Sequence, residues 1–272
     1  MTSDAALRAD IALIEPLTAL ASQAAAAILA VRTYALGTQL KADDSPVTLA
    51  DHAAQDAILE GLSRLMPGLP VISEESAERS LSAHTFVLVD PLDGTRDFIA
   101  GRDEFTVNIA LIRDGTPVLG VVAAPALGLI WRGLVGRGAE RLRLAPGAAP
   151  SEARETVAIR TRRWPASAIA TVSRSHLDPA TEAFVARLGE VRALSCGSSV
   201  KFCRIAEGSA DVYPRLAPTS EWDVAAGHAV LVAAGGVVET PERAPLAYGR
   251  KAPDFRIPAF VAWGDPDAPV RR

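Results

Sequence analysis

The run Val87-Leu88-Val89-Asp90-Pro91-Leu92-Asp93-Gly94-Thr95 constrains this chain more than any other segment. Apolar residues form a strand that delivers Asp90, and a proline, having no N–H for a ladder, is expected to stop it. A second carboxylate follows three residues on, and Gly94-Thr95 then opens a short helix. Two hard anionic ligands thus lie beside free backbone N–H groups, a place to hold divalent cations against a phosphate. A lone carboxylate ending so apolar a strand is costly without a partner, which favours a functional reading of Asp90 and Asp93.

With 272 residues the chain can bury a large core, as one big domain or two tightly joined subdomains. Its 28 basic and 32 acidic residues form no basic run, which argues against a nucleic-acid polymer as partner. Cys196 and Cys203 are too few for a disulfide scaffold or a Cys-rich zinc site, and are expected to be reduced and packed. Asp4, Arg8, Asp10 and Glu15 interrupt any signal-peptide core. The Ala-rich stretch Leu17–Val31 reads as too short and too weakly apolar for a membrane span. The expected address is the cytoplasm, with no integral membrane segment. Peripheral association with the inner membrane and a homodimer are both left open.

Residues 4–32 read as a helix kinked or restarted at Pro16. A second helix follows Ser45-Pro46-Val47-Thr48 and runs to about Met66, with Ala54, Ile58, Leu62 and Leu65 on its buried face. Asp51 falls in its first turn, where a carboxylate is a helix-dipole partner. Strands are expected at 71–73, 85–90, 105–112, 117–123 and 129–135, with Asp114-Gly115 marking a hairpin. The stretch Ala145–Ser151 is taken as a junction. It would divide an α+β subdomain (1–147), carrying most metal ligands, from an α/β subdomain (148–272) carrying Asp223 and the specificity residues. In that second half strands at 169–173, 191–195, 211–215, 237–240 and 259–263 alternate with helices at 179–188, 198–207 and 223–234.

Other candidates carry less weight alone. Glu74 follows a strand and reads as a solvated loop acid. Asp223 after Trp222 is equally well a helix N-terminal acid. Gly94 lets a phosphate approach the backbone, and Thr95 adds a hydroxyl that can orient a water. His52, His84, His176 and His228 share no ligand spacing, so they read as structural. No Ser-His-Asp arrangement and no dinucleotide fingerprint is present.

Glu74-Glu75, Asp90–Thr95 and Trp222–Gly227, in that order, resemble the three motifs of the lithium-sensitive, magnesium-dependent phosphatase superfamily that includes inositol monophosphatase. The likeness spans most of the chain. It implies that family's layered fold, with alternating α and β layers. Lys41–Thr48, Glu104–Ile112 and Gly197-Ser198-Ser199-Val200-Lys201-Phe202-Cys203 are similar to the bacterial 3′(2′),5′-bisphosphate nucleotidases of the CysQ type. Without that likeness, the last segment is only a capped amphipathic helix start with a solvated Lys201. Arg96-Asp97 and Ser220-Glu221 depart from the branch's usual residues.

The resemblance implies metal ligation by Glu74, Asp90, Asp93, Asp223 and the carbonyl of Leu92. It implies Asp51 and Thr95 polarising the attacking water, with Glu74 assisting. Asp93, Gly94, Thr95, Leu92, Asp223, Gly197, Ser198 and Lys201 would border the substrate. The implied reaction is hydrolysis of 3′-phosphoadenosine 5′-phosphate to AMP and phosphate with two or three Mg2+ ions, inhibited by Li+, recycling a by-product of sulfate assimilation. An inositol-1-phosphatase or broad sugar-phosphate phosphatase is the rival enzyme reading. A non-catalytic nucleotide sensor is the rival of a different class.

Overall fold

Two sheets and three helical layers stack in alternation in the computed structural model, which describes residues 4–34, 39–40, 46–76, 83–174, 178–249 and 255–271. The first sheet has seven strands in chain order: β1 (Val71–Ser73), β2 (Thr85–Asp93), β3 (Thr106–Arg113), β4 (Thr116–Ala124), β5 (Leu129–Leu134), β6 (Gly138–Arg143) and β7 (Glu155–Ile159). The second sheet is built from β8 (Ala168–Ser173), β9 (Val191–Cys196), β10 (Val212–Arg215), β11 (Val237–Glu239) and β12 (Phe260–Trp263), in the order β9-β8-β10-β12-β11.

Strand side chains alternate between faces, so a sheet buried on both faces needs unbroken apolar runs. Residues 86–89 are such a run. Val87 and Val89 face the helices α1 (Asp4–Tyr34) and α2 (Leu49–Leu65), meeting Leu17, Ala21, Ala54, Ile58 and Leu62. Phe86 and Leu88 join the opposite core, which holds α5 (Val200–Ala206), α6 (Glu221–Ala233) and the inner face of the second sheet. A third, smaller cluster lies beyond that sheet, where Trp263 and Val261 meet Phe184 of α4 (Pro179–Arg187). The order is therefore helices, sheet, helices, sheet, helix, as the family resemblance implies.

The central helix α6 is apolar all round and almost wholly buried, as a helix between two sheets must be. It lies close to the first sheet at two glycines. A Cβ at Gly120 would stand 2.3 Å from the carbonyl oxygen of Ala226, and one at Gly133 2.8 Å from the Cα of Val230. This approach fixes where the N-terminus of α6, and with it Asp223, meets the end of β2.

Several expectations are corrected. Helix α1 does not restart at Pro16 but is one helix across it. The lost hydrogen bond is outweighed by packing of its buried face, and Arg113 pins it by donating to both carboxylate oxygens of Asp10, at 2.8 and 2.6 Å. Residues 10–32 are, contrary to expectation, long and apolar enough to cross a membrane by length and composition. Here Leu17, Ala21, Ala24 and Ile28 of that stretch are core residues. Strand β2 continues past Pro91 to Asp93 through a register shift against β3, the irregular position where a residue without an N–H is tolerated. The stretch 145–151 connects β6 to β7, so the first sheet runs on to Ile159. Those two strands escaped notice because Gly138–Arg143 is rich in charge and Glu155–Ile159 is largely exposed.

Other readings hold. The Asp114-Gly115 hairpin has positive φ at both residues, 49° and 75°. Cys196 and Cys203 are free and buried. His228 is buried beside the Tyr248 hydroxyl at 2.9 Å, and burial pushes its pKa down to about 4, so it is a neutral core residue. His176 and residues Lys41–Ser45 lie outside the described residues.

Candidate active site

The site forms where the C-terminal ends of β1 and β2 meet the N-terminus of α6. Glu74 leaves β1 with its N–H bonded to the Val89 carbonyl at 3.1 Å, which places it alongside Asp90. Asp90 is 1% exposed, and its Oδ1 accepts the Leu92 N–H at 3.0 Å. Oxygen atoms of Glu74, Asp90 and Asp223 all lie within 4.8 Å of one another. Asp223 reaches this cluster while also capping its own helix: its Oδ2 accepts the Ser220 N–H at 3.1 Å and the Thr219 hydroxyl. The bland reading of Asp223 is thus correct and incomplete.

Three carboxylates this close repel one another unless a cation joins them. Burial, followed by the charges of Glu74, Asp93, Asp223 and Asp51, holds the Asp90 carboxyl well above its ordinary range. Asp93 is pushed up to about 6 by burial and Asp223, against the pull of Lys201 and a hydrogen bond from Ser199. The Oδ2 of Asp90 is buried with no hydrogen-bond partner. A buried carboxylate with an orphaned oxygen, clustered with two more carboxylates, fits a hard divalent cation, and the all-oxygen donor set suits Mg2+ over soft metals.

Asp51 serves two neighbours. Its Oδ2 accepts the Thr48 N–H and the Thr48 hydroxyl, each at 2.7 Å, closing a capping box for α2. Its Oδ1 faces the Thr95 hydroxyl at 3.2 Å, and that hydroxyl is also 3.1 Å from the Leu92 carbonyl. Since Thr95 has one proton to donate, it satisfies one of these acceptors at a time. Gly94, at φ 90°, precedes the short helix α3 (Thr95–Ile99); a Cβ there would stand 2.2 Å from the Ser198 hydroxyl.

This close approach brings the Asp90–Thr95 loop against the Gly197–Cys203 segment. Glu74, Asp93, Gly94, Thr95, Gly197, Ser198, Lys201 and Asp223 line one cavity of about 320 Å³, while Asp51, Asp90 and Leu92 are buried behind its wall. Lys201 is 4% exposed rather than solvated. Its Nζ donates to the Ser198 carbonyl at 2.6 Å and lies 5.2 Å from the centre of the Tyr213 ring. A buried ammonium held by one carbonyl and one ring retains donors for a further anion.

Some residues of the site were not singled out by sequence reasoning. The Ser199 hydroxyl lies 3.2 Å from the Asp93 carboxylate and 2.8 Å from the Asp223 carbonyl, and accepts from Asn108 at 3.0 Å. Arg174, Arg215 and Arg256 also line the cavity, together with Arg96, which the sequence marked as a departure from the branch's usual residue. The signal for Ser199 was present in the doubled serine before Lys201. The arginines are scattered over 160 positions and converge only in the fold.

A sequence model of the inositol monophosphatase family matches residues 13–257. The chain is similar to the 3′(2′),5′-bisphosphate nucleotidase CysQ of Salmonella typhimurium, 44% identical over 227 residues that cover 81% of this chain and 88% of the relative. The CysQ of Escherichia coli K12 is 42% identical over the same shares. Among solved structures, CysQ from Bacteroides thetaiotaomicron aligns with a TM-score of 0.79 at 37% identity, covering 92% of this chain and 96% of that one. An inositol monophosphatase from Zymomonas mobilis gives 0.75 at 27% identity, covering 98% and 97%. The matched span includes the carboxylate cluster, the Thr95 loop and the Lys201 helix, and the chain belongs to the inositol monophosphatase family.

Proposed function

We propose that this protein is a 3′(2′),5′-bisphosphate nucleotidase that hydrolyses 3′-phosphoadenosine 5′-phosphate to AMP and phosphate. The names of the similar relatives above support this, and one observation carries it. The cavity that holds the carboxylate cluster is also walled by Lys201, Arg96, Arg174, Arg215 and Arg256. A substrate with one reacting phosphate is served by the carboxylates and their cations. A second phosphate explains the cationic wall, and inositol-1-phosphate has none to offer it. The sulfated relative, 3′-phosphoadenosine 5′-phosphosulfate, carries the same charges and is a second substrate of this reading. The activity would recycle a by-product of sulfate assimilation, in the cytoplasm.

Glu74, Asp90, Asp93, Asp223 and the Leu92 carbonyl would hold two or three Mg2+ ions. When bound, these ions lower the pKa of a water and neutralise charge on the leaving oxygen. Asp51, by accepting a hydrogen bond from the Thr95 hydroxyl, leaves lone pairs of the Thr95 oxygen to take a hydrogen bond from the attacking water. Glu74 would take a proton from that water as its oxygen bonds to phosphorus; the bond from phosphorus to the ribose 3′ oxygen breaks, and that oxygen takes up a proton from solvent. The Thr95 N–H, which has no partner inside the first turn of α3, and the Gly94 N–H just before it would receive phosphate oxygens as charge develops. Lys201 meets the second phosphate.

Product analysis tests this reading. With Mg2+, 3′-phosphoadenosine 5′-phosphate is expected to yield AMP and one phosphate, and chelation is expected to stop the reaction. Release of adenosine 3′-phosphate, or no turnover, contradicts it.

A further inference from the structure

Glu104 stands just before β3, and the hydrolysis described above makes no use of it. Both its carboxylate and its backbone reach the opposite wall of the cavity. Its Oε2 accepts the Gly197 N–H at 2.8 Å and pairs with Nη1 of Arg174 at 2.6 Å. Its carbonyl accepts the Ser198 hydroxyl at 3.0 Å, and the same hydroxyl lies 2.8 Å from the Asp93 carbonyl. A Cβ on Gly197 would stand 2.4 Å from that Glu104 carbonyl, so the approach tolerates only glycine.

The turn held in this way is strained. Ser198 has φ 48°, a left-handed conformation that a serine adopts only when its surroundings impose it. Its carbonyl is the acceptor for Lys201 Nζ, so the position of the ammonium follows that of the turn. Arg174 is tied into the same assembly, donating through Nη2 to the Ser195 carbonyl at 3.1 Å.

We propose that Glu104 is a positioning residue whose carboxylate, by tying the Gly197 N–H to Arg174, holds the Gly197-Ser198 turn where its Ser198 hydroxyl meets the Asp93 carbonyl, and so sets the distance from the reacting phosphate to Lys201. The inference rests on the bisphosphate reading above. The clamp spans the two halves of the molecule, from the loop before β3 to the start of α5. It acts on affinity for the second phosphate and leaves the chemistry at the first one alone. A substrate with a single phosphate makes no demand on it.

Steady-state kinetics of Glu104→Gln and Glu104→Ala test this, with 3′-phosphoadenosine 5′-phosphate and adenosine 3′-monophosphate compared under saturating Mg2+. Glutamine keeps an oxygen for the Gly197 N–H and loses the ion pair; alanine loses both. The KM for the bisphosphate is expected to rise about tenfold in the alanine variant and less in the glutamine variant, given the usual worth of a charge-assisted hydrogen bond. In both variants kcat stays near that of the wild type, and the monophosphate parameters do not move. Equal losses on both substrates, or a fall in kcat alone, overturn the proposal and make Glu104 a structural residue. Should the alanine variant lower the unfolding temperature, the glutamine variant carries the comparison. A wild-type enzyme that binds both substrates equally overturns the bisphosphate reading itself, a result visible before any variant is made.

Discussion

Asp90→Asn is expected to lower kcat by about a thousandfold or more while raising the stability of the metal-free protein. The two effects have one cause. The Asp90 carboxylate is buried, has one orphaned oxygen and is crowded by Glu74, Asp93 and Asp223. Its charge therefore opposes folding unless a cation is bound, and is needed for that cation to be held. The amide keeps the size of the side chain and an oxygen for the Leu92 N–H, so the local backbone is preserved. Loss of one ligand in a charge-stabilised phosphoryl transfer costs on the order of 4 kcal/mol, which is the thousandfold.

The pH dependence follows from the same crowding. The Asp90 and Asp93 carboxyls have raised pKa values in the folded state, Asp93 to about 6. Their protonated forms are favoured by folding, so this contribution is fully present below the ordinary carboxylate pKa. It is lost as pH rises through 6 and above. The metal-free wild type should lose stability over that range, and Asp90→Asn should lose less. Thermal unfolding with chelator, and again with Mg2+, reads both effects. A metal-induced rise in unfolding temperature that survives in Asp90→Asn contradicts the ligand assignment.

The second large effect is expected from Thr95→Ala: a fall in kcat of about a hundredfold or more, the usual worth of a group that orients the attacking nucleophile. Here the metal-induced stabilisation should be unchanged, because the Thr95 hydroxyl touches none of the clustered carboxylates, and its loss leaves the Leu92 carbonyl free to ligate. Thr95→Ser, which keeps the hydroxyl, should retain most of the activity. Normal turnover in Thr95→Ala removes the water-orienting role. Loss of metal-induced stabilisation would instead mean that the residue props up the ligand loop.

The carboxylates were legible because they lie at places where physical chemistry leaves few alternatives. Asp90 follows an apolar run buried on both faces, and Asp93 comes three residues later at the end of the same strand. Glu74 and Asp223 were not distinguishable from a loop acid and a helix cap by their own surroundings, and Asp223 is in fact a cap as well. What draws them together is the parallel pairing of β1 with β2 and the close approach of α6 to Gly120 and Gly133. Neither is a local property.

Lys201 shows the limit from the other side. At helical spacing it reads as a solvated lysine. It is buried because Ser198 and Tyr213, twelve residues downstream of it and on another element, close around it. Strands β6 and β7 carry no clear strand signal: β6 is rich in charge, and β7 is an exposed edge strand, and both features erase the alternation that marks a half-buried strand. Pro91 misled for a different reason. A proline ends a regular ladder, but a strand that shifts register at that point no longer asks for its N–H.

The most direct test is the ratio of kcat/KM for 3′-phosphoadenosine 5′-phosphate over inositol-1-phosphate, measured with Mg2+ and with and without Li+. A large preference for the nucleotide, abolished together with turnover by lithium, is the expected result. Preference for inositol-1-phosphate contradicts the role given to the cationic wall while leaving the carboxylate cluster intact. Turnover of neither contradicts the account of the site as a hydrolase.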